Sequence, residues 1–173
     1  ARQLRRSTTE DSCRISTRSP TPISMTPMSA EPSGDRLLLD TNILIWRRAL
    51  PPGLFRGSVS ISAVTLAELS AGVNMVQGEG PAAIEERALR LAVLQQTENE
   101  FDPIPFGPQA ARVYGRMCAA VLASGRTPRR RVADLMIAAT AAAEDAALCT
   151  MNPDDFVGLD KLVRVIAVPR PTT

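Results

Sequence analysis

From residue 34 onward the chain alternates between short apolar runs and longer stretches of helical character. The first run, Leu37–Leu39, is three leucines long and ends at Asp40, which is typical of a buried strand in a parallel sheet. A second strand-like run, Val59–Ser62, contains two β-branched residues. Because strand-like and helical stretches follow one another, the pattern predicts an α/β domain. Its central sheet is mostly parallel and has helices on both faces.

Glycine and proline residues set the predicted boundaries of the other elements. Thr41 and Asn42 are the predicted caps of a short apolar helix. The segment Phe101–Phe106 contains two prolines, so it is restricted to an edge or irregular strand. Longer helices are predicted over Ala63–Gly72 (with the glycine as its stop), Pro81–Thr97, Gln109–Ser124 and Arg129–Asp145, and strands over Ala147–Thr150 and Leu162–Val168. We expect the apolar stretches 82–93 and 110–122 to be mostly core.

Composition narrows the chemistry that is available to the chain. Its 173 residues, 45% of them hydrophobic, suit a single domain with a proper core, and none of them is histidine. This excludes Ser-His-Asp and Cys-His catalysis, histidine-based ribonucleases and His-liganded zinc sites. Cys13, Cys118 and Cys149 match neither a disulfide framework nor a zinc spacing, which favours a reducing cytosol. No apolar run reaches the length of a membrane span.

Residues 1–33 differ in composition from the rest of the chain. They are rich in Arg, Ser, Thr and Pro, show no hydrophobic periodicity and contain too few apolar residues to fold. We expect a disordered or non-native N-terminal tail, with residues 34–173 forming the domain. The tail accounts for the whole net charge of +2, so the charge of the domain is no evidence for nucleic-acid binding.

Two acidic residues stand in apolar surroundings in the first half of the domain. Asp40 follows the first strand, at the end where open α/β sheets place ligands. The alternative is that Asp40 only caps the following helix. Glu68 has small or apolar neighbours at helical spacing, where an unpaired carboxylate is costly. The alternatives for Glu68 are a solvated helix rim or an arginine partner.

Asp134 is the one acidic residue in the apolar stretch 132–143, which has the composition of a buried helix. The alternatives to a functional role are a helix cap or a salt bridge to Arg130 or Arg131. A better cap site is offered by Thr127 and the proline that follows it, which would leave Asp134 inside the helix.

A fourth acidic position, Asp155, comes shortly after the predicted strand Ala147–Thr150, in a sequence that a turn alone would explain. In a doubly wound sheet the four positions can converge on one crevice. Three or four carboxylates without histidine or thiolate form a hard oxygen site, which suits Mg²⁺ or Mn²⁺. Such ions activate water and stabilise the charge of an in-line phosphoryl displacement.

Four short motifs in this order resemble the signatures of PIN-domain proteins, and in particular of the VapC-type ribonuclease toxins of bacterial toxin–antitoxin pairs. They are Leu-Leu-Asp40-Thr41-Asn42, Glu68-Leu69-x-x-Gly72, Asp134-x-x-Ile137-Ala138-Ala139 and Thr150-x-Asn152-x-x-Asp155-Phe156. The resemblance covers about residues 34–168 and implies a three-layer PIN-like fold. Each motif is short, but their shared order and spacing are specific.

The resemblance also implies an activity and a set of residue roles. The activity is Mg²⁺- or Mn²⁺-dependent hydrolysis of RNA phosphodiester bonds, which leaves a 5′-phosphate and a 3′-hydroxyl. The implied catalytic residues are Asp40, Glu68, Asp134 and Asp155, the implied metal ligands are these four with Asn152, and the implied supporting residues are Thr41, Asn42 and Thr150. Relatives often have aspartate at the position of Asn152, so whether Asn152 or Asp155 completes the site is open.

The family further implies a VapB-type antitoxin, an RNA substrate such as transfer RNA, a homodimer and a place in the bacterial cytoplasm. Candidate contacts for RNA phosphates precede Asp134 and are Arg126, Arg129, Arg130 and Arg131; the alternative for them is an ordinary solvated helix start.

Two other enzyme classes do not fit the sequence. A phosphatase of the haloacid dehalogenase type needs a second aspartate where this chain has Asn42, and a dinucleotide binder needs a G-x-G-x-x-G sequence, which is absent. The alternative that remains open is a catalytically silent PIN-like protein- or RNA-binding module, because Asn152 departs from the family pattern.

Overall fold

The computed structural model describes residues 36–171, so the predicted tail over residues 1–33 lies outside the described residues and stays a prediction. The strands are β1 (Arg36–Leu39), β2 (Ser58–Ile61), β3 (Ala147–Thr150) and β4 (Val165–Ala167). The α-helices are α1 (Thr41–Trp46), α2 (Ala63–Asn74), α3 (Pro81–Glu100), α4 (Pro108–Ala123) and α5 (Val132–Ala143). Among the described residues, no helix has both the length and the apolar character needed to cross a bilayer.

The four strands form one sheet in the order β2-β1-β3-β4, and every pairing between them is parallel. Leu38 in β1 lies between Ser60 of β2 and Leu148 of β3. The chain leaves β1 in one direction to form β2 and later returns to its other side as β3. The carboxyl ends of β1 and β3 therefore flank a topological switch point, where open sheets leave a crevice.

Residue alternation along β1 supplies a separate core on each face of the sheet. Leu38 packs with α4 and α5 through residues such as Met117 and Leu135. Leu37 and Leu39 point to the other face and pack with residues of α1 and α2. The structure thus confirms the predicted three-layer α/β fold with helices on both faces.

The segment Phe101–Phe106 runs beside β2 without forming a regular strand. Ile104 pairs with Ser62 in a single parallel bridge, and its backbone bonds to Ile61 and Ala63 are 2.9 and 2.8 Å long. This confirms the irregular edge strand that its two prolines predict.

Several predicted boundaries are wrong for local reasons. Gly72 does not stop α2, which continues to Asn74; the Gly72 carbonyl instead accepts a 2.8 Å hydrogen bond from Arg90 of α3.

Two further boundaries differ in the second half of the domain. Residues 128–131 form a 3-10 turn, so α5 begins at Val132 and not at Arg129. The last strand is shorter than predicted, because Val163 still bonds back to Leu159 in a turn.

The two long apolar helices differ in burial. The expectation that α4 is core is confirmed, since Ala110, Val113 and Met117 are buried. For α3 it is wrong, because Ile84 and Leu89 are exposed and its one buried residue is a threonine. Among the described residues, no other element covers the outer side of α3.

Candidate active site

Asp40 lies in the crevice at the carboxyl end of β1, with only 3% of its surface exposed. It is also the N-cap of α1, because its Oδ1 accepts a 2.8 Å hydrogen bond from the backbone N–H of Thr41. The prediction that Thr41 and Asn42 cap this helix is therefore wrong. Asp40 does cap the helix, but only through Oδ1, and its Oδ2 has other partners; a functional role for Asp40 stays a prediction.

The second oxygen of Asp40 joins the ends of β1 and β3. Oδ2 accepts hydrogen bonds from the hydroxyl of Thr150 (2.6 Å) and from Nδ2 of Asn42 (2.7 Å). Asn42 also accepts a 3.0 Å bond from the backbone N–H of Met151. Because two strands contribute to this network, the orientation of Asp40 is fixed by the sheet itself.

Glu68 reaches the same crevice from α2. This helix begins at the cap Ser62, whose hydroxyl accepts a 2.9 Å bond from the backbone N–H of Thr65. Oε2 of Glu68 accepts a 2.5 Å hydrogen bond from the hydroxyl of Thr41. No arginine pairs with Glu68 within the part of the chain that the structure describes. Thr41 therefore links Glu68 to Asp40, through its side chain and its backbone respectively.

Asp134 lies in the first turn of α5 and does not cap it. Burial raises its pKa to about 6, with further contributions from the negative charges of Asp40, Asp155 and Glu68 and a smaller opposing one from Arg131. The salt-bridge alternative for Asp134 is wrong, because Nη2 of Arg131 pairs with Oδ1 of Asp155 at 3.1 Å. The negative charge of each of the other three candidate carboxylates therefore contributes to the raised pKa of Asp134.

Burial also raises the pKa of Asp40, and the charge of Asp155 adds to the effect. The hydrogen bonds from Thr150, Thr41 and Asn42 oppose the increase, because they stabilise the ionised carboxylate. The site therefore holds negative charge that the protein compensates only in part.

Asn152 and Asp155 follow β3 and have different partners. Oδ1 of Asn152 accepts a 2.5 Å hydrogen bond from Arg170, and its backbone N–H donates to Thr150 at 3.0 Å. Asp155 lies on the 3-10 turn Pro153–Phe156, and its charge acts on Asp40 and Asp134. Of the two residues left open by the sequence, Asp155 is electrostatically coupled to the other carboxylates.

The donor set consists of oxygen atoms, the kind that Mg²⁺ and Mn²⁺ prefer. A divalent cation would also relieve the repulsion between carboxylates, which adds to the effect of burial on the pKa of Asp134. Within residues 36–171, however, no three acidic or thiol side chains come together closely enough to hold one ion as arranged. The chemistry of the donors fits a hard cation, and binding it would require the carboxylates to approach one another.

The four candidate arginines fall into two groups. Arg126 and Arg131 bond to backbone carbonyls of the segment 154–157. Arg129 and Arg130 are exposed and have no hydrogen bond or ion pair with any part of the chain that the structure describes. No local pattern predicts the bonds of Arg126 and Arg131 to these carbonyls, or the contact of Arg170 with Asn152.

A groove of about 500 Å³ opens beside the acidic crevice, between α1, α2 and α3. Leu44 and Leu69 line its buried part, and Leu89 of α3 lies at its exposed side. Thr41 and Glu68 form part of the same wall. A chain bound in this groove would therefore contact the carboxylate network directly.

Comparison with known proteins agrees with the fold and the motifs. The PIN domain family matches residues 37–162. The chain is 29% identical to Ribonuclease VapC of Rickettsia bellii over 144 residues, which cover 77% of this chain and 96% of that protein. It is 30% identical to Ribonuclease VapC1 of Rickettsia felis over 131 residues, or 69% of this chain and 87% of that protein.

Among solved structures, the VapBC-5 toxin–antitoxin structure from Mycobacterium tuberculosis matches with 31% identity and a TM-score of 0.60, covering 79% of this chain and 99% of that one. VapBC2 from Rickettsia felis, at 21% identity and a TM-score of 0.59, supports the fold alone; it covers 77% of this chain and 98% of that one. The chain therefore belongs to the PIN-domain family, among its VapC-type ribonucleases.

Proposed function

We propose that the chain is a Mg²⁺- or Mn²⁺-dependent endoribonuclease toxin that hydrolyses RNA phosphodiester bonds and leaves a 5′-phosphate and a 3′-hydroxyl. One observation carries this proposal above all. Four carboxylates from separate elements border one crevice: Thr41 links Asp40 to Glu68 by hydrogen bonds, and the charges of Asp40, Asp155 and Glu68 add to the effect of burial in raising the pKa of Asp134 to about 6. A protein keeps such a cluster at a cost in stability, which a bound cation relieves.

The roles divide between the residues by their surroundings. Asp40, Glu68, Asp134 and Asp155 would hold the metal and align the attacked phosphate, with Asn152 at the edge of the site. When bound, the metal supplies Lewis-acid activation of water and neutralises charge that develops on the phosphate. Thr41, Asn42 and Thr150 hold the carboxylates in place through the hydrogen bonds described above.

The partners follow from the groove and the exposed cations. We propose that a VapB-type antitoxin binds the groove beside Glu68 and so covers the site; the solved VapBC complexes provide the analogy. RNA, for example transfer RNA, would approach along Arg129 and Arg130. We further propose a homodimer that acts in the bacterial cytoplasm, where RNA and the antitoxin are found.

The experiment is cleavage of total RNA and transfer RNA by purified protein freed of any antitoxin, with Mg²⁺, Mn²⁺ or EDTA. The control is the Asp40→Asn plus Asp134→Asn variant, checked for folding by circular dichroism. Discrete cutting that needs the metal and both aspartates supports the proposal, and end-labelling then identifies the 5′-phosphate. Cutting that persists in the variant overturns the assignment of the site.

A second candidate function is a catalytically silent PIN-like binding module. The observation that favours it is the side-chain bond between Asn152 and Arg170, at a position where relatives often have aspartate. Folded, metal-loaded protein that binds RNA or antitoxin without cutting any RNA would favour this candidate.

A further inference from the structure

The turn Pro153–Phe156, which carries Asp155, is fixed from outside by two guanidinium groups. Arg126 donates to the carbonyls of Val157 (2.8 Å) and of Asp154 (3.2 Å). Arg131 donates to the Asp155 carbonyl (2.8 Å), and its other terminal nitrogen lies 3.1 Å from the Asp155 carboxylate. The turn is thus tied to residues more than twenty positions earlier in the chain.

The two arginines come from a segment that is itself well defined. Gly125, with φ of +74°, ends α4, and the backbone N–H groups of Gly125 and Arg126 bond to Leu122 and Val121. Arg131 is the residue directly before α5, three positions ahead of Asp134. The contacts of Arg131 therefore connect the turn that bears Asp155 to the helix end that bears Asp134.

These arginine contacts oppose the electrostatic repulsion between the carboxylates. Asp155 lies on a short turn, and its negative charge acts on both Asp40 and Asp134. Without an opposing contact, the turn would relax away from the other carboxylates. Arg126 and Arg131 already donate N–H groups to backbone carbonyls, so they have fewer left to bind phosphate oxygens. Within residues 36–171, the exposed Arg129 and Arg130 have all of theirs available.

We propose that Arg126 and Arg131 are positioning residues, which hold the turn of Asp155 against the acidic crevice, whereas Arg129 and Arg130 remain available to RNA. This inference rests on the proposed function for its catalytic consequence. Its structural part, the placement of Asp155, can be tested without any RNA.

The experiment compares Arg126→Ala and Arg131→Ala with Arg129→Ala/Arg130→Ala in the full chain. Arg112→Ala is the matched control, because Arg112 is an exposed arginine of α4 without a hydrogen bond or ion pair among the described residues. Three quantities are measured: Mn²⁺ affinity by calorimetry, amide exchange of residues 152–158, and kcat and KM for RNA across a salt series.

We expect Arg126→Ala and Arg131→Ala to weaken Mn²⁺ binding, to speed amide exchange in the turn and to lower kcat by about 10- to 100-fold. Their KM and salt dependence should stay near those of Arg112→Ala. The Arg129→Ala/Arg130→Ala variant should raise KM and reduce the salt slope by about 0.7 for each lost contact to single-stranded RNA, with unchanged Mn²⁺ affinity.

Arg131→Lys separates positioning from general stability. A lysine keeps the charge beside Asp155, so it should restore part of the Mn²⁺ affinity if Arg131 acts through Asp155. Unchanged Mn²⁺ affinity and exchange in folded Arg126→Ala and Arg131→Ala, with a reduced salt slope, would overturn the inference. If the wild type cuts no RNA, the proposed function fails, while Mn²⁺ binding and amide exchange still decide this inference.

Discussion

The hydroxyl of Thr41 donates a 2.5 Å hydrogen bond to Oε2 of Glu68, while the backbone N–H of the same threonine donates to Asp40. One residue therefore sets the relative position of two carboxylates that lie 28 positions apart in the sequence. The side-chain bond and the backbone bond can be separated by mutation, since only the former depends on the hydroxyl.

Thr41→Val should lower the cleavage rate by about 10- to 100-fold, because Glu68 loses the donor that orients it. The backbone bond to Asp40 remains, so the helix cap is kept. Steady-state cleavage of a fixed RNA in Mg²⁺ measures the effect. Thr41→Ser keeps the hydroxyl and should recover most of the rate; equal activity of both variants would contradict the role of this bond.

Thr150→Val should destabilise the fold by about 1–3 kcal/mol, because the buried carboxylate of Asp40 loses one of its hydrogen-bond donors and the backbone N–H of Asn152 loses its acceptor. The Thr150 hydroxyl is fully buried and bonds to Asp40, Asn42 and the backbone N–H of Asn152. Urea unfolding at neutral pH measures the loss. Thr127→Val is the control: Thr127 is exposed and makes no side-chain cap bond, so the change should be within about 0.5 kcal/mol.

Asp134→Asn should stabilise the metal-free protein at neutral pH and have little effect near pH 4. The pKa of Asp134 is about 6 in the folded protein, against its ordinary value of 3.8. The folded state thus binds the proton more tightly, and this contribution is fully present below pH 3.8 and lost as the pH rises through about 6. The neutral asparagine avoids that loss.

Thermal unfolding of both proteins in EDTA between pH 4 and 8 checks this sign. The gap between their melting temperatures should widen by a few degrees across that range. Asp160→Asn, at an exposed position on the surface, is the control and should reproduce the wild-type pH profile. A gap that is constant or narrows with rising pH would show that the folded protein does not raise the pKa of Asp134.

Two glycine-to-alanine substitutions should have opposite signs. Gly125 has φ of +74°, so alanine there should cost about 1 kcal/mol and disturb the adjoining Arg126. Gly115 lies in the exposed middle of α4 with open space around its Cα, so alanine there should stabilise by about 0.5–1 kcal/mol. Chemical denaturation of the two variants side by side measures both, and equal signs would contradict the assigned backbone conformations.

The sequence was sufficient for the features that depend on local patterns. Leu37–Leu39 identified the central strand because a run of large apolar residues is buried on both faces of a parallel sheet. Asp40 and Asp134 were found because each is an isolated charge in an apolar stretch. The same pattern placed the four candidate carboxylates on the elements where the structure has them, and the motifs added the roles that stay predictions.

What the sequence missed depends on contacts between distant segments. Nothing in the composition near Arg126 indicates that it binds carbonyls about 30 residues later rather than solvent. Gly72 has the local character of a helix stop, but the α2 carbonyl there is satisfied by Arg90 of the next helix. The exposure of α3 likewise depends on which elements pack against it, and a hydrophobic count cannot supply that information.

The position of β3 between β1 and β4 has a consequence for synthesis of the protein. During translation β1, β2 and all five α-helices emerge before β3, so the strand that completes the crevice is among the last parts to fold. A nascent chain that stops before residue 150 lacks both the hydroxyl that orients Asp40 and the turn that carries Asp155. Under the proposed function, incomplete products of translation would therefore lack an assembled site, and nuclease activity would arise only once nearly the whole domain has been made.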